Sequence, residues 1–598
     1  MNKPQDNTNL IAAMALCLAI MLGWQYFFVE PQQAKQRKAA EQAKIEQQTT
    51  IPATPGAPSV PANAATTDAK PREEVLSSGG PRLAFDNGKI DGSIKLTGGQ
   101  IDDLRLRDYR ETIDPTSPEI VFLAPHGAHG ATFTEVGWTA APGSTTAVPN
   151  ATTAWTTSAA KLAAGAPVEL TWNNGQGLAF KRTVSLDENY MFTITDTVEN
   201  QSAAPVTLYP YALVAREGEP KHQGIWFVHE GMYGVMQGIL QNKGTYSEMR
   251  EYEKGELKLD STGGWLGLTD KYWMATLIPP QNEQFAGRFS YGKVGGVENF
   301  RADYLLGARN VPANGTASVT HHIFAGAKVV SLIEAYQKHL GVARYDMTMD
   351  WGWFSFFTYW MFRALDWLNK LVGNFGIAII LLTVGIKILI FPLAQRSYES
   401  MTKMKKVQPE LKVLQDRYKE DPMKLRTEQM ALFQREKVNP MMGCLPILLT
   451  MPILFSLMKV LYVTIEMRHA PFFGWIQDLS SADPTSFVNL FGLLPFAIPT
   501  WLHIGVWPLL MGFTMWFQMK MTPQQGDPTQ QQVMQFMPVM FTYMMGQVAA
   551  GLVIYWTVSN ALGILQQYVL MRRMKVPIDV IDNLKWPSWL GGGKASGS

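Results

Sequence analysis

The chain has 598 residues, too many for one folded unit, and its 52 basic and 50 acidic side chains leave a formal charge of +2. That balance excludes a bulk electrostatic affinity for nucleic acid, so no DNA partner is expected. The two cysteines, Cys17 and Cys444, both lie in apolar segments, which excludes a disulfide framework.

Leu10 to Val29 is a 20-residue run without charge, long enough to span a bilayer. It ends in Trp24, Tyr26, Phe27 and Phe28, an interfacial aromatic belt and not a cleavage site, so residues 1–30 read as an uncleaved anchor. Lys35, Arg37 and Lys38 outnumber Lys3, which by itself would put the carboxyl side in the cytoplasm. Long domains translocate largely regardless of such charge, so later loops decide the orientation. Residues 31–79 form a linker, with Ile51–Pro71 a disordered spacer by composition.

Residues 80–346 alternate in short segments separated by Gly, Asn and Pro. Val168, Leu170 and Trp172 alternate; Asn-Asn-Gly-Gln-Gly then reverses the chain into Leu178–Leu186. Many such strands predict an all-β sandwich, closed by an amphipathic helix over Ser331–Tyr345. His126, His129, His222, His229, His321 and His322 suggest a metal, but His321 and His322 are adjacent on a strand and point to opposite faces. No Cys-x-x-Cys, His-x-x-x-His or nucleophile elbow accompanies them, so neither metal nor enzyme chemistry is expected.

Residues beyond 350 hold nearly all the long apolar runs and 21 of the 31 methionines, whose flexible thioethers suit either adaptable apolar contact or membrane-core filling. Residues 350–370 are packed with aromatics and predict a helix lying in the membrane interface. Leu371–Ala394 is a span with one charge, Lys387, and with Thr383 one turn earlier on the same face. An ammonium there is either functional or snorkels to headgroups past Pro392. Residues 395–439 carry 11 basic and 7 acidic side chains and predict a cytoplasmic helical hairpin, broken at Gln408-Pro409 and Asp421-Pro422. Four more spans follow: Cys444–Ile465, Trp501–Gln518, Phe536–Ala549 and Leu552–Leu570. With the anchor this gives six spans, five of them in a core over 371–575, and a cytoplasmic tail over 576–598. Thr450, Gln547, Tyr555, Ser559, Asn560, Gln566 and Gln567 spread polar groups over these spans. Such groups cost several kcal/mol each in lipid and should converge on a protected or hydrated recess.

The segments LLTVGIKILIFPL, EKVNP, GCLPILLTMPI, DPTQQQVMQFMPVMF and AGLVIYWTVSN resemble the YidC/Oxa/Alb family of membrane protein insertases. The full layout is similar to its Gram-negative type with a large periplasmic domain. The resemblance implies a β-supersandwich in the periplasm and an α-helical membrane core around a hydrophilic groove, open to cytoplasm and lipid and closed to the periplasm. Both termini would be cytoplasmic, and residues 31–350 periplasmic, at the cell inner membrane. Lys387 takes the place of the family's groove arginine and Thr383 that of its threonine. Met451 and Pro452 match substrate-contacting positions, and Tyr555 and Trp556 an aromatic pair. Thr450 stands where relatives can carry glutamine, and Trp556 where they can carry tyrosine, so 556 lacks that hydroxyl.

The implied partners are nascent membrane proteins, the Sec translocon, the ribosome and membrane lipids, with no cofactor. Lys405, Lys406, Lys412 and Arg417 in the hairpin, with Asp527 in the next inner turn, are the candidate contacts for a ribosome or other cytoplasmic partner. The expected action is insertion and folding of nascent inner-membrane proteins, alone or with the translocon. Its rivals are a pure folding chaperone, a small-solute transporter and a tethered sugar enzyme. No Walker motif or internal repeat of 371–465 occurs.

Overall fold

The computed structural model describes residues 69–220, 228–252, 255–436, 445–490, 503–521 and 528–574, with Leu494 and Pro499. The expected anchor, most of the linker, His222, Asp527 and the tail 576–598 lie outside these residues. The chain divides into two compact units that part at Asp350–Trp351.

The first unit is built on two β-sheets. One has eight antiparallel strands in the order Ile239–Gln241, Gly231–Met236, Gly264–Thr269, Trp273–Ile278, Thr316–Ala327, Met191–Asn200, Leu178–Leu186 and Val168–Asn173. The other has eleven strands, with Val206–Glu217 and Thr132–Ala140 central. Its one parallel pairing joins Arg82–Asp86 to Lys161–Leu162. The period-2 pattern of the sequence is directly visible: along Leu178–Leu186 buried and half-buried side chains alternate without a break. Asn174 closes the turn before it, its Oδ1 accepting from the N–H groups of Gln176 (2.8 Å) and Leu178 (3.0 Å). Three short helices, α1 (Arg72–Ser78), α2 (Tyr246–Glu251) and α3 (Val330–Leu340), flank the sheets. Helix α3 stops five residues short of the expected Tyr345 because Gly341 adopts the left-handed conformation at φ 63°.

Large apolar residues fill the core, but it also encloses charge. Arg182 forms a fork with Asp196 across adjacent strands (Nε–Oδ1 2.7 Å, Nη2–Oδ2 2.8 Å) and donates to the Val136 carbonyl of the opposite sheet at 2.7 Å. Its guanidinium lies 4.8 Å from the Trp155 ring centroid. His321 is fully buried and hydrogen-bonds Tyr304 at 2.6 Å, whereas His322 turns to the other face and meets Thr193. Among the described residues no group of three His, Cys, Asp or Glu side chains could hold a metal.

The second unit is helical. Helix α4 (Ser355–Val372) ends at a left-handed Gly373, and the Asn374 side chain caps α5 (Phe375–Arg417), accepting from Ile377 N–H at 3.0 Å. At ~1.5 Å per residue α5 is ~64 Å long. Its first 30 residues, Phe375–Met404, are the one stretch among the described residues long and apolar enough to cross a membrane; Thr450–Val463 is a shorter apolar helix.

Helix α5 does not break at Gln408-Pro409 as its sequence suggests. Proline removes one backbone hydrogen bond, but the helix continues, with Met404, Val407 and Leu411 on either side packed on Leu432. The second break does occur: Asp421 caps α6 (Pro422–Arg435) by accepting from Lys424 N–H at 3.0 Å, with Pro422 in the first turn. Helices α7 (Leu445–Val463), α8 (Val506–Met521), α9 (Pro528–Met545) and α10 (Ala550–Arg573) follow. Helix α9 ends before Gln547, which lies in the connector to α10 and donates to the His503 carbonyl at 3.3 Å.

Burial drives the His321 pKa down from 6.5 to about 4, so the folded state favours neutral imidazole and the unfolded chain binds the proton first. That contribution is intact above pH 6.5 and is lost as pH falls, by about 3 kcal/mol at pH 4. Thermal unfolding of the β-unit in the full chain should therefore fall steeply over this window, and His321→Gln should flatten the slope. His229 and His322, also held down by burial, supply the slope that remains.

Candidate functional site

Helix α10 packs between α5 and α8, and it carries polar residues at helical spacing on its buried side: Tyr555, Ser559 and Gln567, with Gly563 between. Each finds a neighbour. Tyr555 and Ser559 stand one turn apart within the helix. Asn560 Nδ2 donates to Thr514 Oγ1 of α8 at 3.3 Å, and Gln567 Nε2 to the Met521 carbonyl at 3.1 Å. Gly563 leaves room for a third contact, where Tyr398 of α5 hydrogen-bonds Gln518 of α8. A Cβ at position 563 would stand 3.0 Å from Gln518 Nε2 and 3.2 Å from Tyr398 Oη. Gln566 Nε2 and Gln567 Oε1 are buried without a protein partner among the described residues.

Lys387 stands on the arc of α5 that faces this stripe. Ile379, two turns before it, packs against Gly551, and Ala394 and Tyr398, two and three turns after it, pack against Leu570. Lys387 itself is half-buried, and among the described residues no carboxylate acts on it. Thr383 is buried on the same arc, its hydroxyl donating to the Ile379 carbonyl at 2.7 Å.

The remaining candidates fall in other places. On α7, Thr450 and Pro452 are half-buried while Met451 is 45% exposed, with Phe455 one turn on also exposed. On α9, Phe536, Val539, Met540, Tyr543 and Met544 are exposed, giving a second apolar surface. Trp556 does not share the buried side of Tyr555. It turns to an apolar cluster of Met511, Met545 and Val553 and meets Phe541 edge-on at 5.5 Å. Lys406, Lys412 and Arg417 are exposed on the hairpin; Lys405 lies on the same helix, its side chain outside the described set, as is Asp527 entirely. The sequence reading passed over Tyr398, Thr514 and Gln518. The signal was present, since Thr514 and Gln518 are one turn apart in a helix whose residues before Lys520 are otherwise apolar.

Comparison with known proteins covers both units. A family profile described as 60Kd inner membrane protein matches residues 367–577, and one described as YidC periplasmic domain matches residues 82–364. Curated proteins named membrane protein insertase YidC are similar throughout. That of Methylobacterium radiotolerans is 45% identical over 601 residues, covering 97% of each chain, and that of Rhizobium meliloti is 45% identical over 588 residues, covering 97% of this chain and 98% of its own. A crystal structure of an active YidC insertase with its first transmembrane domain resolved shares 16% identity, covering 83% of this chain and 97% of its own, at a TM-score of 0.33.

The Gly563 contact is testable apart from activity. Gly563→Leu would force Tyr398 and Gln518 apart and should lower stability by about 1–3 kcal/mol, as overpacking does. Thermal unfolding of the helical unit in detergent reads this, and Gly563→Ala should cost much less because both neighbours are flexible side-chain ends.

Proposed function

The chain belongs to the YidC family of membrane protein insertases, and from that premise we propose that it inserts nascent membrane proteins through a groove in which Lys387 is the working charge. The observation that carries this reading is a half-buried cation, with no carboxylate acting on it, on the arc of α5 turned towards the polar stripe of α10. An incoming chain lays its apolar segment along the exposed faces of α7 and α9, where Met451, Phe455, Val539 and Met540 offer adaptable contact. Thr450 and Pro452 edge that surface. The polar flank of the guest enters the groove, and Lys387 lowers the desolvation cost of its acidic residues. Tyr555, Ser559 and Thr383 supply neutral polar groups along the way. Trp556 shapes the groove from behind by seating α9 on α10.

No consumed fuel is required in this mechanism, because the membrane potential, positive outside, draws negative charge outwards at about 2.3 kcal/mol per charge per 100 mV. Residues 31–350 lie in the periplasm and both termini in the cytoplasm. The exposed Lys406, Lys412 and Arg417 of the hairpin then face the ribosome, and the helical unit is free to work alone or beside the Sec translocon.

Reconstituted vesicles and a single-span substrate with an acidic tail test the charge. Lys387→Arg should insert that substrate at close to the parental rate, and Lys387→Glu should lose about tenfold or more, with neutral-tailed substrates affected less. Parental insertion of the acidic tail by Lys387→Glu would refute the electrostatic role.

A further inference from the structure

Residues 469–487, between α7 and α8, bind the starts of three helices at once. Phe472 O accepts from the Nδ2 of Asn374, the residue that caps α5, at 3.4 Å. Asp483 Oδ2 accepts from Trp507 N–H at 2.9 Å and Thr485 Oγ1 from Val506 N–H at 3.0 Å, which together cap α8. The carbonyls of Ser481 and Leu479 accept from Ala550 N–H (2.7 Å) and Gly551 N–H (3.0 Å), capping α10.

The segment also holds itself. Asp478 accepts from His469 N–H at 3.1 Å and from Ser480 and Ser481, and Asp483 Oδ1 accepts from the Trp475 indole at 3.1 Å and from Thr485 N–H at 3.0 Å. Asp483 is only 1% exposed, and Gly505 is what lets it approach α8, since a Cβ there would fall 2.3 Å from its Cγ. One carboxylate thus ties the segment's indole, its own backbone and a helix start together.

We propose that residues 469–487 are the outer seal of the groove and that Asp483 is the positioning residue that keeps the seal shut against water and ions. The proposal rests on the reading that the starts of α5, α8 and α10 lie at the periplasmic end, with Thr383 and Lys387 below them. A carboxylate that accepts hydrogen bonds from several elements makes their closure cooperative, so its loss opens the whole segment and not one contact.

The test is thiol accessibility in spheroplasts of the full chain, with Cys17 and Cys444 replaced by serine and Thr383→Cys as the reporter. An impermeant charged thiosulfonate added outside should label the parent slowly and the Asp483→Ala protein about ten- to a hundredfold faster. Asp483→Asn, which keeps one acceptor oxygen, should fall between. Gly505→Ala displaces the same carboxylate from the other side and should also speed labelling, which covers the case in which Asp483→Ala does not fold. Equal slow labelling of the parent and of every folded variant overturns the seal while leaving the groove reading intact. Rapid labelling of the parent itself overturns the groove reading.

Discussion

The helical unit depends on how helix starts are satisfied where lipid offers no acceptors. The first turn of every helix leaves backbone N–H groups without partners, and in hydrocarbon each would cost several kcal/mol. Here the segment 469–487 accepts from the first N–H groups of α8 and α10, and it holds Asn374, which itself caps α5, so that three starts are fixed relative to one another. Towards their other ends, the Tyr398–Gln518 pair and the Gln567–Met521 contact tie the same three helices again. Pinned twice, they form a firm block, and the polar stripe of α10 and the proposed groove cation lie on its inner surfaces. Helices α7 and α9 instead display flexible apolar side chains outwards, Met451 and Phe455 on one, Val539 and Met540 on the other. In the proposed mechanism a polar back meets the guest's polar part, and an adaptable apolar front meets the part that differs from chain to chain.

The β-unit uses buried polar groups to a different end. Arg182 reaches from one sheet to a carbonyl of the other while forking Asp196, and Tyr304 with His321 makes a second link between the sheets. The enclosed Arg182–Asp196 pair adds little net stability over apolar residues of equal size, but removing either partner would leave a buried charge unpaired. These side chains fill space between the sheets and link one to the other.

Much of this architecture was legible in the sequence because it rests on local periodicity. Leu178–Leu186 alternates buried and half-buried side chains as its letters alternate, and the apolar length of Phe375–Met404 announces a span. The polar positions of α10 were visible for the same reason, as rare polar letters in an apolar run. What local pattern could not supply depends on distant partners. Pro409 reads as a break, yet α5 runs on, with Leu432, 23 residues away, packed across it. Trp556 follows Tyr555 in sequence, but one residue turns a helix by ~100°, and the apolar cluster on α8 and α9 claims the tryptophan. Asp483 reads as an ordinary loop aspartate; only the approach of Trp475 and the start of α8 makes it a centre.

The same dependence on surroundings bears on why lysine can serve at position 387. A guanidinium is planar and favours fixed, forked partners, whereas an ammonium is compact, swings on a four-carbon stem and donates in several directions. The facing stripe carries a phenol, a hydroxyl and amides, none of which offers a carboxylate fork, and the amide nitrogens of Asn560 and Gln567 donate to α8. An ammonium on a flexible stem keeps contact with water and, in the proposed mechanism, can turn to an acidic guest. Lysine thus keeps the charge that the proposed mechanism needs, with geometry set by the guest more than by the groove.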